Sequence, residues 1–204
     1  MIHVVDYGLG NIQAFLNLYK SMGLKAARAS TPEQLEGASK IVLPGVGSFD
    51  HAISKLNMSG MRPVLESLVL NDGVPILGVC VGMQILAASS EEGCMPGLNF
   101  VPGRVISFAS KVTSLGLPRP HMGWNQVVPE ISSPLFDGIS VAPRFYFLHS
   151  YFFECSDEMN SIGTTEYGIG FTSAISSRNI YGVQFHPEKS HHAGVRLLEN
   201  FAKL

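Results

Sequence analysis

Charged residues and long apolar runs are both scarce in this sequence. Asp, Glu, Lys and Arg together make up only 15% of the 204 residues, and the net charge is −2. A balance so close to neutral gives no electrostatic footprint for nucleic acid or for an anionic membrane. No apolar run approaches the roughly 20 residues that a bilayer-spanning helix needs. With 46% apolar residues, the scarcity of charge indicates a large buried surface, or an outer face that a partner covers.

Cysteine is also sparse, since Cys80, Cys94 and Cys155 are the only three. None belongs to the C-x-x-C pair typical of a zinc site, and an odd number does not suit a disulfide framework. We therefore expect no metal or other cofactor, and a reducing, cytoplasmic location. The first residues, MIHVVDYGLGN, lack the basic region and the cleavage site of a signal peptide.

What the sequence does contain is an alternation of short apolar runs and helical stretches. The runs IHVVDY, KIVLPG and VPILGVC do not alternate apolar with polar residues, which is typical of a parallel sheet covered on both faces. After about Asn99 the strand-like runs are separated by turn residues, a pattern closer to antiparallel pairing. A last amphipathic helix, His191 to Lys203, is predicted to bury a stripe made by Val195, Leu198, Phe201 and Ala202. We expect one α/β domain, residues 1–204, with a mixed, largely parallel sheet flanked by helices and a more antiparallel C-terminal part.

The stretch GVCVG carries the first chemical signal. It is the cysteine form of the nucleophile elbow G-x-S-x-G, with a strand before it and a helical pattern after it. Gly78 and Gly82 relieve crowding around a strained turn, and the first amides of the next helix favour a thiolate at Cys80. The Val81 amide lies where an oxyanion would form. The alternative is inert packing, which is common for cysteine and is our expectation for Cys94 and Cys155.

The stretch YGVQFHPEKS supplies a candidate base. His186 follows an apolar strand, and across an extended H-P-E segment the Glu188 side chain projects to the same side. The carboxylate would fix the imidazole tautomer and stabilise the imidazolium. The alternative is a histidine at a strand end beside a solvated glutamate. Together with the cysteine elbow, the pair favours a Cys-His-Glu triad.

GVCVGMQ with a distant GVQFHPEKS resembles the class I (triad) glutamine amidotransferases, whose fold is flavodoxin-like. Within that family, DYGLGNI, LPGVGSFDHAI, PHMGWN and FYFLHSY resemble the glutaminase subunits of imidazole glycerol phosphate synthases, from histidine biosynthesis. The resemblance runs from Asp6 to about Phe201. Val81 stands where the family usually has leucine, a change that should be mild because the contact there is a backbone amide.

The resemblance implies a role for each matching residue. Cys80 would attack the side-chain carboxamide of glutamine, His186 would carry the proton to the leaving ammonia, and Glu188 would orient His186. The Gly45–Val46 peptide, in the segment that ends at Gly47, would give a second oxyanion donor after a backbone flip. Gln84 would hold the α-amino acid end of the substrate, and Ser150 and Tyr151 would line the same site.

The resemblance also implies a heterodimer. Ammonia is useful only if a second active site receives it, and in the family that site is a (β/α)₈ barrel cyclase. The residues that would face the barrel are Asn11, Met122, Trp124, Asn125 and Lys189. A core tryptophan is an equal alternative for Trp124. We expect His121 and His149 to be structural or interface residues, and the His191-His192 pair to be a solvated helix start. Two other functions stay open: the same glutaminase chemistry paired with a barrel that amidates a surface sugar, and a Cys-His-Glu hydrolase of another substrate.

Overall fold

The computed structural model describes residues 1–109, 116–130 and 133–204, and its central feature is a set of five parallel strands. In chain order these strands are β1 (Ile2–Val5), β2 (Ala26–Ala29), β3 (Lys40–Gly45), β4 (Ile76–Cys80) and, from near the end of the chain, β13 (Ile180–Val183). They lie in the order β2-β1-β3-β4-β13. Every residue of β1 and β4 is buried, as a sheet covered on both faces requires. The predicted α/β fold is confirmed.

The sheet continues from β13 into a mostly antiparallel part. Its strands are β5 (Ser89–Ser90), β6 (Gly103–Ser107), β8 (Val128–Pro129), β10 (Tyr151–Cys155), β11 (Ser161–Glu166) and β12 (Gly170–Ser177). Strand β12 is antiparallel to β13, β11 and β10, and β10 is antiparallel to β6. Strand β11, with the sequence SIGTTE, carries no apolar run that would have predicted it.

A separate antiparallel pair lies outside this sheet. It consists of β7 (His121–Gln126) and β9 (Arg144–His149), in a register that places Met122 opposite Leu148 and Trp124 opposite Tyr146. The apolar run RFYFLHSYFFEC therefore divides at Ser150, because β9 and the next strand, β10, belong to different sheets.

Helices cover the parallel strands. They are α1 (Ile12–Ser21), α2 (Pro32–Leu35), α3 (Phe49–Met58), α4 (Arg62–Glu66), α5 (Val81–Gln84) and α6 (His191–Lys203). A π turn, Ser67–Asn71, follows α4, and the described residues also form 3₁₀ turns at Pro134–Phe136, Glu158–Asn160 and Pro187–Lys189. None of the helices in the described ranges is long and apolar enough to cross a membrane.

The buried face of α6 is rotated from the predicted stripe. Gly194, Leu197, Leu198 and Phe201 are buried, whereas Val195 and Ala202 are only partly covered. A β-carbon at Gly194 would collide with the Pro187 carbonyl oxygen. The helix therefore packs closest at its glycine, which turns Val195 away from the core.

Candidate active site

The site lies where three parallel strands end. Gly45, the last residue of β3, is the register partner of Cys80, the last residue of β4. On the other side of β4, Val183 pairs with Val79, so Gln184 leaves β13 beside the same cysteine. Because the carboxyl ends of parallel strands meet at one edge, residues from three distant segments of the chain converge here.

Cys80 occupies a strained turn. Its φ of 56° and ψ of −114° lie outside the regions that residues with a side chain normally adopt, and the residue is 4% exposed. A β-carbon on Gly78 would lie 2.6 Å from the Gly82 carbonyl oxygen, and one on Gly82 would collide with the Leu43 carbonyl. These two glycines permit the turn. Helix α5 has only four residues, so its contribution to the sulfur comes from the amides of one turn.

His186 connects Cys80 to Glu188. Its Nδ1 lies 2.9 Å from Glu188 Oε1, and both side chains are at most 6% exposed. Burial lowers the pKa of His186, but hydrogen bonds to Cys80 and Glu188 and the negative charges of both outweigh it, so the pKa is raised to about 10. The imidazole thus lies between the sulfur of Cys80 and the carboxylate of Glu188.

The reason we gave for the His186–Glu188 contact is wrong. Strand β13 ends at Val183, and His186 is the residue that precedes the 3₁₀ turn Pro187–Lys189. Glu188 therefore reaches back to the imidazole through a tight turn, not along an extended segment. Its other oxygen, Oε2, is buried and has no hydrogen-bond partner among the described residues, so the imidazole alone pairs with this carboxylate there.

A pocket of about 310 Å³ opens over the sulfur. Nine of the residues singled out in the sequence line it: Val46, Gly47, Cys80, Val81, Gln84, Ser150, Tyr151, His186 and Lys189. Two other predicted residues contact the lining residues without lining the pocket themselves. Gly45 is the register partner of Cys80, and Glu188 is the hydrogen-bond partner of His186. The structure therefore brings the predicted triad and the predicted oxyanion segment to one cavity.

Four residues that our sequence analysis did not assign to the site also line the pocket: Glu92, Pro120, Leu148 and His149. Glu92 is half-buried, and its Oε2 accepts a hydrogen bond from the Phe49 amide at 2.8 Å, which caps α3. The signal in the sequence was a Glu-Glu pair in a chain otherwise poor in charge. The sequence alone did not indicate that one of the pair faces the pocket.

Gln84 lies in the pocket wall with both amide protons already used. Its Nε2 donates to the Tyr151 carbonyl oxygen and to Gln184 Oε1, each at 3.0 Å. Only its carbonyl oxygen remains to meet a ligand. Gln184, which is fully buried, donates in turn to the Cys80 sulfur at 3.8 Å.

The two histidines expected to be structural form a buried pair. His121 Nδ1 lies 2.9 Å from His149 Nε2, and His149 Nδ1 lies 2.7 Å from the Tyr151 carbonyl oxygen. Burial lowers the pKa of His121 to about 4 and that of His149 to about 3, so both rings are neutral. His149 thus packs against the site as an uncharged wall.

The predicted interface residues fall into two groups. Met122 (64% exposed) and Trp124 (39% exposed) share the outer face of the β7–β9 pair with Leu148, and the indole stacks on His191 at 5.0 Å. Lys189 is exposed, 5.5 Å from the Tyr146 ring centre.

The other two predicted interface residues make hydrogen bonds within this chain. Asn125 donates to the Glu166 carbonyl and to His121, and the exposed Asn11 caps α1. His191 is exposed as expected, but it also supports Trp124. Within the described residues no cluster of His, Cys, Asp and Glu could hold a metal ion.

Comparison with known proteins agrees with this geometry. The family model for glutamine amidotransferase class-I matches residues 3–204. The chain is 57% identical over 204 residues to the imidazole glycerol phosphate synthase subunit HisH of Bdellovibrio bacteriovorus and 50% identical to that of Leptospira borgpetersenii, with full coverage of both chains in each case. It also superposes on the structure of PurLQS from Thermotoga maritima with a TM-score of 0.72, at 16% identity and covering 99% of this chain and 97% of that one, a likeness of fold. The chain belongs to the class-I glutamine amidotransferase family.

Proposed function

We propose that the chain is the glutaminase subunit of an imidazole glycerol phosphate synthase and supplies ammonia for histidine biosynthesis. The observation that carries the proposal is the contact of a strained, buried Cys80 with an imidazole that Glu188 holds by a 2.9 Å hydrogen bond. Full-length relatives that bear the name of this synthase subunit support the choice among amidotransferases.

The reaction follows from the arrangement of the triad. The sulfur of Cys80 forms a bond to the side-chain carbonyl carbon of glutamine, and the C–N bond breaks as His186 gives its proton to the leaving ammonia. His186 then takes a proton from water, whose oxygen adds to the γ-glutamyl thioester. The C–S bond breaks, its electron pair returns to the sulfur, and glutamate leaves. Glu188 keeps the imidazole oriented through both halves of the cycle.

Stabilisation of the oxyanion falls to backbone amides beside the sulfur. The Val81 amide is at the start of α5, and the Gly45–Val46 peptide is next to Cys80 in the sheet. We propose that this peptide becomes a donor after a flip, which Gly45 and Gly47 allow. Glu92 offers a carboxylate to the α-ammonium of the substrate, and the carbonyl oxygen of Gln84, with Ser150 and Tyr151, lines the same pocket.

The outer face of the β7–β9 pair supports a partner subunit. Met122, Trp124 and Leu148 are exposed apolar residues beside the pocket, and Leu148 and the exposed Val46 also line it. We propose that a (β/α)₈ barrel cyclase covers this face and receives the ammonia, and that Lys189 and Asn11 lie at its edge. We also propose that residues 1–204 act as one domain in the cytoplasm.

The test is glutamine hydrolysis by the subunit purified with its barrel partner. Cys80→Ala should lower kcat by at least about 10³-fold and leave partner binding intact, because the nucleophile is lost and the fold is kept. Cys94→Ala, at an exposed cysteine, is the matched control and should keep full activity. Activity that survives in the Cys80 variant would remove this residue from the mechanism.

A further inference from the structure

Gln184 is a buried side-chain amide in contact with the sulfur of Cys80. The residue is 0% exposed, its Nε2 lies 3.8 Å from Cys80 Sγ, and its Oε1 accepts from Gln84 Nε2 at 3.0 Å. With no exposed surface, this amide makes its hydrogen bonds inside the protein, and one of its two ends is directed at the reacting atom.

A neighbouring backbone carbonyl fixes the orientation of that amide. The Tyr151 carbonyl oxygen can only accept a hydrogen bond, so the Gln84 atom that lies 3.0 Å from it is the amide nitrogen. The same nitrogen also faces Gln184, whose atom at that contact must be the oxygen. The opposite end of the Gln184 amide is then its nitrogen, and this end points at the sulfur. The chain of contacts therefore determines which group the sulfur meets.

We propose that Gln184 is a second hydrogen-bond donor to the Cys80 sulfur and favours the thiolate over the thiol. The inference rests on the proposed role of Cys80 as nucleophile. A donor stabilises a charged acceptor more than a neutral one, so an N–H held at the sulfur acts selectively on the thiolate. Since His186 also hydrogen-bonds Cys80, the sulfur is held by two donors and not by one.

The same donor acts in both halves of the reaction. It stabilises the thiolate before attack, and the stabilisation is lost when the sulfur becomes part of the neutral thioester. When water adds and the C–S bond breaks, the electron pair returns to the sulfur, and Gln184 stabilises the leaving thiolate. Gln184 is thus expected to affect kcat more than KM.

The experiment measures the pH profile of Cys80 alkylation by iodoacetamide in the full chain. Peptide mass spectrometry separates Cys80 from Cys94 and Cys155. In Gln184→Met the midpoint of the profile should rise by about one pH unit, because the donor to the thiolate is lost. Gln184→Glu, which keeps the acceptor toward Gln84 but places a carboxylate oxygen at the sulfur, should raise it further.

Asn200→Leu is the matched control, since it also converts a buried amide to a hydrocarbon. Asn200 donates to the carbonyls of Leu135 and Asp137 and is not among the residues that line the pocket. It should lower thermal stability and leave the Cys80 midpoint unchanged. Midpoints in both Gln184 variants equal to that of the parent would overturn the proposal.

A measurement on the parent chain covers the case in which the variants do not fold. The ¹⁵N resonance of the Gln184 side-chain amide should move with the same pH midpoint as Cys80 alkylation, and this movement should vanish in Cys80→Ala. A Gln184 resonance that does not change over the pH range in which Cys80 alkylation changes would overturn the proposal. Glutaminase activity that survives Cys80→Ala would refute the role of Cys80 instead, so the two failures remain distinguishable.

Discussion

Replacing Cys80 by glycine should stabilise the protein relative to replacing it by alanine. Both variants lose the sulfur, so their difference reports only the β-carbon at a residue with φ 56° and ψ −114°. A left-handed φ normally occurs with ψ near +30 to +60°, and this residue lies far from that well. The strain therefore belongs near the upper end of the range for unusual backbone conformations, about 3 kcal/mol.

Two effects oppose the gain from glycine. Its greater freedom in the unfolded chain costs roughly 0.5–1 kcal/mol, and the lost contacts of one buried methyl group cost about 0.8 kcal/mol. The net expectation is that Cys80→Gly is more stable than Cys80→Ala by about 1.5 kcal/mol. For a chain of this length that corresponds to a rise in Tm of about 3–6 °C.

Urea and thermal denaturation of the two variants measure this difference. The matched control is the same pair of substitutions at Cys155, which lies in strand β10, where glycine should be less stable than alanine. If Cys80→Gly proves no more stable than Cys80→Ala, the backbone at residue 80 is not strained. The turn would then not lower the stability of the fold, and the reasoning above would be refuted.

Three further outcomes are expected. Glu188→Gln removes the negative charge beside the imidazole, so the pKa of His186 should fall by about one to two units, measured by histidine NMR. The kcat of glutamine hydrolysis should fall by about 10–100-fold. An unchanged titration of His186 would contradict this prediction. Because burial lowers the pKa of His149 from 6.5 to about 3, the free energy of unfolding should decrease as the pH falls below 6.5, by up to about 1.4 kcal/mol per pH unit. His149→Gln should remove this contribution of His149, and an equal dependence of the unfolding free energy on pH in the parent and the variant would refute it. Trp124→Ala should weaken binding of the barrel subunit by roughly 30-fold in calorimetry, whereas Val141→Ala, at a residue 90% exposed, should not; equal losses would refute an interface centred on the indole.

The parallel half of the fold could be predicted because its signals are local. The apolar runs that do not alternate and the glycines at the turn after β4 are signals that act within a few residues. The turn at Cys80 could be predicted for the same reason. The backbone approaches so closely at Gly78 and Gly82 that a β-carbon would collide there, and the glycines mark the turn in the sequence.

The two-stranded sheet could not be predicted in this way. The run from Arg144 to Cys155 is rich in aromatic residues on both sides of Ser150, yet the chain passes from β9 to β10 there and changes sheets. Nothing in the local pattern distinguishes the two halves, because strand partners are chosen by contacts distant in sequence. Strand β11 was not predicted for a different reason: its residues, Ser161–Glu166, have little apolar character.

The site shows the same division. The Cys80, His186 and Glu188 set was found by residue type and spacing, although the turn that joins the last two was misjudged. Glu92 and Gln184 were not found, because each is defined by a partner far along the chain. Gln184 contacts Cys80 across 104 positions, and Glu92 caps a helix that begins 43 positions before it.

Strand β9 connects the partner face to the catalytic residues directly. Its outer surface carries Leu148, opposite the exposed Met122, while the Leu148 carbonyl lies 3.8 Å from the Cys80 sulfur. Two residues earlier, the Tyr146 carbonyl accepts a hydrogen bond from the His186 amide at 2.9 Å. The strand that a partner would touch is therefore the one whose backbone contacts both the nucleophile and the base. A shift of β9 would act on the contacts of Cys80 and of His186 at once, because both residues meet the backbone of this one strand.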